Sequence, residues 1–309
     1  MSTFESRKKQ RELNEKLIKF TLIGAATISI LTTFGILFSI LFEAIEFFKL
    51  RSFWYFITGT IWSPGVIGSQ FGALPIFAGT FVITIIALGV AIPIGLGSAI
   101  YMSEYASANI RDYLKPLLEI LAGIPTVVYG FFAAITVAPL VVQIAEFFGL
   151  EATFNSALAS GVVMGIMIIP TISSLSDDVI RAVPDSQRKA AFGLGMTHGE
   201  TIKDIVLPTA LPGIISASLL ALSKALGETM VVVMAAGLRP NLSWNPLEDM
   251  TTVTVTIVNA LVGDFEFSSP ETLSAFALGL VLFVVTLILN MISLSLIRKF
   301  KEKYKVNTL

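Results

Sequence analysis

The chain has 309 residues, 54% of them hydrophobic and 14% charged, with a net charge of −1 and a mean hydropathy of +0.82. Soluble domains carry about 25% charged residues, so the composition excludes a soluble globular domain, and the near-zero net charge excludes bulk attraction to nucleic acid. There is no cysteine, which excludes disulfides, thiol chemistry and thiolate metal sites.

A helix that crosses a bilayer needs about 20 mainly apolar residues. Six segments qualify, at 20–42, 73–101, 113–138, 156–176, 209–238 and 273–297. The polar residues 1–19 form a candidate N-terminal cytoplasmic segment, and 20–309 reads as one transmembrane domain. The first apolar run is longer than a signal-peptide core and reads as an uncleaved span. The loop after it holds Trp54, Tyr55 and Trp62, amphipathic rings suited to a membrane interface. Residues 137–150 and 251–263 are apolar but too short to span, and are expected to be surface-lying or re-entrant. Proline and glycine pairs, Pro93/Gly95, Gly123/Pro125 and Gly165/Pro170, mark places for kinks or close helix packing.

Basic residues set orientation. Arg7, Lys8, Lys9, Arg11, Lys16 and Lys19 precede the first span, and Arg111 and Lys115 lie between the second and third. Arg181, Arg188, Lys189 and Lys203 lie between the fourth and fifth, and Arg298, Lys299, Lys301, Lys303 and Lys305 end the chain. These seventeen face one side, against Lys49, Arg51 and Arg239 on the other. With six spans, both termini and the fourth–fifth loop are expected in the cytoplasm.

That loop, 177–208, has its own local order. Asp177 and Asp178 close the fourth span and are expected to face the cytoplasm. Pro184 stops the preceding helix and Asp185 is placed to cap a short helix over 186–194. Gly195 is placed to end it in a left-handed conformation. Thr197 and Glu200 have capping-box spacing for a second helix, through about Val206. Ile205, Leu207 and Pro208, with Pro212, mark the junction with the fifth span. The small Ala190, Ala191 and Gly195 let this helix-turn-helix sit close against a partner surface. His198, the single histidine, has no second histidine or cysteine to join and reads as a surface side chain.

The fifth span carries Lys224 and Glu228, four apart and thus expected on one helix face, followed by Thr229. A charge at the middle of a span costs about 2.5–3.5 kcal/mol on insertion scales, so the pair is expected to line a polar route. The lysine would attract an oxyanion and the glutamate would neutralise it when the route is empty. Glu119, about two turns into the third expected span, is a third candidate.

The run from Lys189-Ala-Ala through Gly195 to Ile205-Val-Leu207-Pro208 resembles the cytoplasmic loop of ABC-importer permeases. Four further segments resemble one group within them, the PstC-type permease subunit of the phosphate importer. They are Phe71-Gly-Ala-Leu-Pro75, Glu104-Tyr105, Leu121-Ala-Gly-Ile-Pro125-Thr-Val-Val-Tyr129, and Lys224-Ala-Leu-Gly-Glu228-Thr229. The resemblance implies an all-α membrane protein of MetI-like fold in the cytoplasmic membrane, embedded in lipid. It implies a heterodimer with a PstA-like permease subunit, an ATPase dimer docked on the cytoplasmic loop and an extracytoplasmic phosphate-binding protein. Two positions depart from the pattern: Lys189 stands where the family has Glu, and Lys224 where it usually has Arg. The chain has no Gly-x-x-x-x-Gly-Lys-Ser/Thr loop, so ATP hydrolysis is expected in a partner. No cofactor or metal is expected. The alternatives are an importer of sulfate, molybdate or tungstate, and a secondary transporter, for which the repeated halves are missing.

Overall fold

The computed structural model describes residues 2–65, 68–262 and 268–303, with the side chains of 2–13, 296 and 300–303 outside the description. The cationic side chains of Arg7, Lys8, Lys9, Arg11, Lys301 and Lys303, and residues Gly263 and Lys305, therefore lie outside the described residues.

Helix α1, Ser2–Leu50, is one continuous rod, so the expected first span at 20–42 is its apolar middle and the polar segment prolongs it without a break. A short helix α2, Phe53–Thr58, follows, then two-residue strands β1, Trp62–Ser63, and β2, Gln70–Phe71, paired antiparallel with Trp62 opposite Phe71. Phe47 meets Phe56 and Phe71 edge-on at centroid distances of 5.3 and 5.5 Å, and Trp62 meets Phe71 at 5.6 Å. This aromatic cluster seals the end of α1 against the hairpin.

Helix α3, Leu74–Ile100, has Pro75 in its first turn and runs into a π-helical turn at Tyr101–Tyr105. Helix α4, Ala108–Ala122, is capped by the Ser107 side chain, which accepts from the Ile110 N–H. The chain then breaks at Gly123–Pro125 and resumes as α5, Thr126–Phe132, a π-turn, and α6, Ala138–Phe147. This corrects the expected span at 113–138. Proline at 125 removes an N–H and restricts the residue before it, so the membrane-crossing run is Thr126–Phe147. Residues 137–147 complete that span and are not an outer surface piece.

Helix α7, Ala157–Arg181, packs along α3 at the centre of the molecule. Gly161 and Gly165 make the approach possible. A β-carbon on Gly165 would lie 2.8 Å from the Ala87 carbonyl oxygen and Val90 Cβ, and one on Gly161 2.7 Å from an Ile86 methyl. Two small residues four apart are a common device for close helix packing in membranes.

Helix α8, Asp185–Gly193, and α9, His198–Thr201, form the fourth–fifth loop. A π-turn at Ile202–Val206 runs from α9 into α10, Leu207–Leu226, so Pro208 sits in the first turn of α10 and Pro212 inside it. Helix α10 stops at Gly227, and α11, Met230–Ala235, starts afresh. The expected span at 209–238 is therefore broken, and the continuous helical run before the break is His198–Leu226. After an extended segment, α12, Val253–Val262, buries Val253, Val255 and Thr256 as it packs on α13, Pro270–Lys303. Six helical runs are long and apolar enough to cross a membrane, among the described residues.

Candidate functional site

Two regions collect the residues singled out by sequence. The first is the α7–α8–α9 corner. The Gly195 backbone is left-handed, with φ +82°. Its N–H donates to the Phe192 carbonyl at 3.0 Å and the Met196 N–H to the Ala191 carbonyl at 3.2 Å, which together make the Schellman closure of α8. The capping box is complete: Thr197 Oγ1 accepts from the Glu200 N–H and Glu200 Oε2 from the Thr197 N–H at 2.8 Å. Ala190 is exposed, Ala191 is buried, and Phe192 and Leu194 stand 45% and 85% exposed. Ile205, Leu207 and Pro208 are partly buried beneath. The result is a rigid, open knuckle with apolar side chains at its tip.

Asp185 does not cap α8. It is the first helical residue, Pro184 holds the cap position, and the carboxylate lies 3.4 Å from Arg188 Nη1. Arg188 is the residue that sequence reasoning counted only as a charge. Its Nη2 donates to Glu104 Oε1 at 2.8 Å and to the Ile180 carbonyl at 3.0 Å, and its Nη1 donates to the Val183 carbonyl. One planar guanidinium thus ties α8 to the last turn of α7 and to the π-turn after α3. Glu104 is 6% exposed, and His198 Nε2 lies 3.9 Å from its other oxygen. The His198 ring meets Tyr105 edge-on at 5.1 Å and stacks near Phe192 at 6.3 Å. The single histidine is held in this corner, half exposed. Only the Glu104-Tyr105 segment, carried by its resemblance, hinted at the contact.

Asp177 corrects another expectation. It is fully buried, with Oδ2 accepting from Arg111 Nη2 at 2.8 Å. Lys115 pairs with the neighbouring Asp178. The fourth span runs on past its expected end at 176, through both acids to Arg181, so these carboxylates pair α7 with α4.

The second region is the break between α10 and α11. Glu228 lies beyond the end of α10, so it and Lys224 do not share one continuous helical face. No ion pair joins them within 4.0 Å among the described residues. Glu228 is 8% exposed, its Oε1 accepts from the Val231 N–H at 3.3 Å, and its backbone carbonyl accepts from Thr254 Oγ1 at 2.8 Å. The carboxylate therefore serves the first turn of α11. Lys224 and Thr229 are partly exposed beside the gap. The glycine at 227 was the available signal for this break. Glu119, expected within a span, is exposed on α4, a helix with no buried residue. The structure does not bring it to the break, because Gly123–Pro125 separates α4 from the crossing helix. Among the described residues no three His, Cys, Asp or Glu side chains gather as metal ligands.

Comparison with known proteins places this arrangement. The chain is 34% identical over 251 residues to the probable ABC transporter permease protein YqgH of Bacillus subtilis, covering 81% of this chain and 78% of that one. It is 34% identical over 252 residues to the phosphate transport system permease protein PstC of Mesorhizobium japonicum, covering 76% and 75%. A bacterial alginate ABC transporter crystallised with its alginate-bound periplasmic protein shares the fold at TM-score 0.59 and 14% identity, over 89% of this chain and 92% of that one. Residues 91–303 match the family described as binding-protein-dependent transport system inner membrane component, and this chain belongs to that family, as a multi-pass permease of the inner membrane.

Proposed function

We propose that the chain carries inorganic phosphate across the cytoplasmic membrane as one permease subunit of an ABC importer. The likeness to PstC permeases over three quarters of both chains carries the substrate assignment. The family implies an ATPase and a substrate-binding protein as partners. In this reading the second permease subunit is PstA-like, both termini lie in the cytoplasm, residues 1–19 lead into a single permease domain over 20–309, and two ATPase subunits engage the knuckle formed by Ala190, Ala191, Gly195, Thr197, Glu200, Ile205, Leu207 and Pro208.

The route for the anion runs past the broken helix. Irregular backbone at membrane depth persists where it is buried in protein or lines a cavity, and discontinuous helices are a frequent site of substrate binding in transporters. Lys224 supplies the attractive charge and Thr229 a hydroxyl. Glu228 supports the break from behind, and Glu119 stands at the cytoplasmic mouth. Radiolabelled phosphate uptake by the assembled importer in proteoliposomes tests the reading. Uptake that follows sulfate or molybdate and ignores phosphate would refute it.

A further inference from the structure

A cavity of 250 Å³ opens beside the β1–β2 hairpin, lined by none of the residues assigned to the knuckle or to the helix break. Four elements build it. Strand β1 contributes Trp62, the segment after α11 Leu238, α12 Thr256 and Asn259, and α13 Glu271 and Ser274. The residues within each helical pair are three apart, the spacing that puts side chains on one helix face. The Trp62 ring is fixed by edge-on contacts to Phe56 at 6.3 Å and Phe71 at 5.6 Å. Glu271 is the only charged residue in the lining, and it makes no ion pair within 4.0 Å among the described residues. The nearest cation in sequence to the cavity wall, Arg239, is not in the lining although both its chain neighbours are. Both hydroxyls are buried and have given their hydrogens away: Thr256 Oγ1 donates to the Thr252 carbonyl at 2.9 Å and Ser274 Oγ to the Glu271 carbonyl at 2.6 Å. Each oxygen has only acceptor capacity left.

We propose that this cavity binds a primary alkylammonium group, from an aminophospholipid headgroup or a free amine, with Glu271 as its counter-ion and the Trp62 ring as its wall. The donor count fits. A primary ammonium carries three donors and no acceptor, and the lining offers a carboxylate and two hydroxyl oxygens that can only accept. A tryptophan ring is the best aromatic partner for a cation, and Leu238 with its proline neighbour gives the alkyl chain an apolar wall. Other ligand classes fit worse. An anion would meet a carboxylate and no cation. A divalent metal ion would want about six oxygen ligands, where one carboxylate stands among apolar walls. A quaternary ammonium would satisfy the charge and the ring but leave the two hydroxyl acceptors unpaired, which costs free energy in a buried site. Bound here, the ammonium ties α12 and α13 to the hairpin. The proposal is independent of which anion the importer carries.

The test uses the assembled importer in an uncharged maltoside detergent, with bound lipid exchanged away, and radiolabelled putrescine as the probe in equilibrium dialysis. Saturable binding is expected, weakened about tenfold or more in Glu271→Gln, because a charge-assisted hydrogen bond is lost while the shape is kept. Asn259→Leu crowds the cavity from exposed α12 surface and is expected to weaken binding with assembly intact. Ethanolamine is expected to displace the probe at lower concentration than choline, which has the same charge and no N–H. The source is read by competition. Short-chain phosphatidylethanolamine acting below the concentration of ethanolamine, with phosphatidylglycerol of the same chain length inert, supports the site and identifies a lipid headgroup. Ethanolamine acting at lower concentration than the lipid supports the site and identifies a free amine. No saturable binding, or binding unchanged in both variants, would overturn the proposal. Choline competing as well as ethanolamine would overturn it equally, since the hydroxyl acceptors would then play no part.

Discussion

The Arg188 contact sets a measurable demand on coupling. Helix α8 has nine residues, too few to persist alone in water, and it buries only Ala191. Its hold on the membrane helices is therefore largely the Arg188 guanidinium, bonded to Glu104, Ile180 and Val183. The side chains of Arg188 and Glu104 are 16% and 6% exposed, so the pair falls in the class whose disruption costs about 3–5 kcal/mol. Arg188→Met fills similar space, leaves the Glu104 carboxylate with only His198 at 3.9 Å, and removes the side-chain donor from the Ile180 and Val183 carbonyls. A loss of about 3 kcal/mol changes the docked-to-undocked ratio of α8 by more than a hundredfold. Under the proposed mechanism, ATP hydrolysis then continues while phosphate transported per ATP falls steeply. Arg188→Lys keeps the charge but not the fork that reaches three partners, and should fall between. Glu104→Gln combined with Arg188→Met removes the stranded charge and should recover part of the loss. The assays are uptake and hydrolysis in the same proteoliposomes, with hydrogen exchange over 185–193. Wild-type coupling and unchanged exchange in Arg188→Met would refute the argument.

Gly195→Leu forces a branched side chain into φ +82° at about 1–2 kcal/mol. No neighbour lies within 4 Å of its β-carbon site, so the variant should assemble yet lose stimulated ATPase activity and uptake, and normal values for both would sink the docking role. For topology, a cysteine at exposed Lys189 should react with an impermeant thiol reagent only from the cytoplasm, and one at Ser69 only from outside; Thr197 is avoided because its side chain caps α9. Hydrogen bonds from Asn241, then Ser243 and Asn245, hold the Glu248 carboxyl below its ordinary value of 4.5. A depressed folded pKa adds stability above the unfolded value that is lost as pH falls through the folded one, so Trp244 emission should stay constant from pH 7 to 5 and change only below 4.5; a midpoint above that value contradicts the clamp. Lys224→Gln should lower phosphate uptake with assembly intact, whereas Glu228→Leu, which leaves the Val231 N–H without its acceptor, should impair assembly itself.

The features legible from sequence were those set by local chemistry. The left-handed Gly195 and the Thr197–Glu200 capping box are fixed by residues within one turn of each other, and both stand where expected. Six spans followed from hydropathy, because lipid leaves long apolar segments no alternative to helix. Span boundaries fared worse wherever hydropathy ran on through a break. Gly123–Pro125 and Gly227–Thr229 are apolar enough to be averaged into a span, yet the backbone stops at both. Pairings distant in sequence were not legible. Arg111 with Asp177 and Arg188 with Glu104 are 66 and 84 residues apart, and no local pattern announces which cation meets which acid. Counting Arg111 and Arg188 only as orienting charges, and Asp177 as a solvated one, missed their structural use.

The break after Gly227 also changes what the intramembrane charges mean. On one unbroken helix, Lys224 and Glu228 would neutralise each other, and little field would remain for a passing anion. The structure gives the carboxylate a backbone N–H and leaves it 8% exposed, while the lysine stays partly exposed at the gap. A positive group with no counter-ion within 4.0 Å among the described residues is costly in a low-dielectric setting, and an arriving oxyanion relieves that cost. The attraction persists only while the helix stays broken. Closing the gap into a continuous helix would bring the carboxylate one turn from the lysine and turn the attraction off. The break is braced from the neighbouring α12, where the Thr254 hydroxyl donates to the Glu228 carbonyl at 2.8 Å.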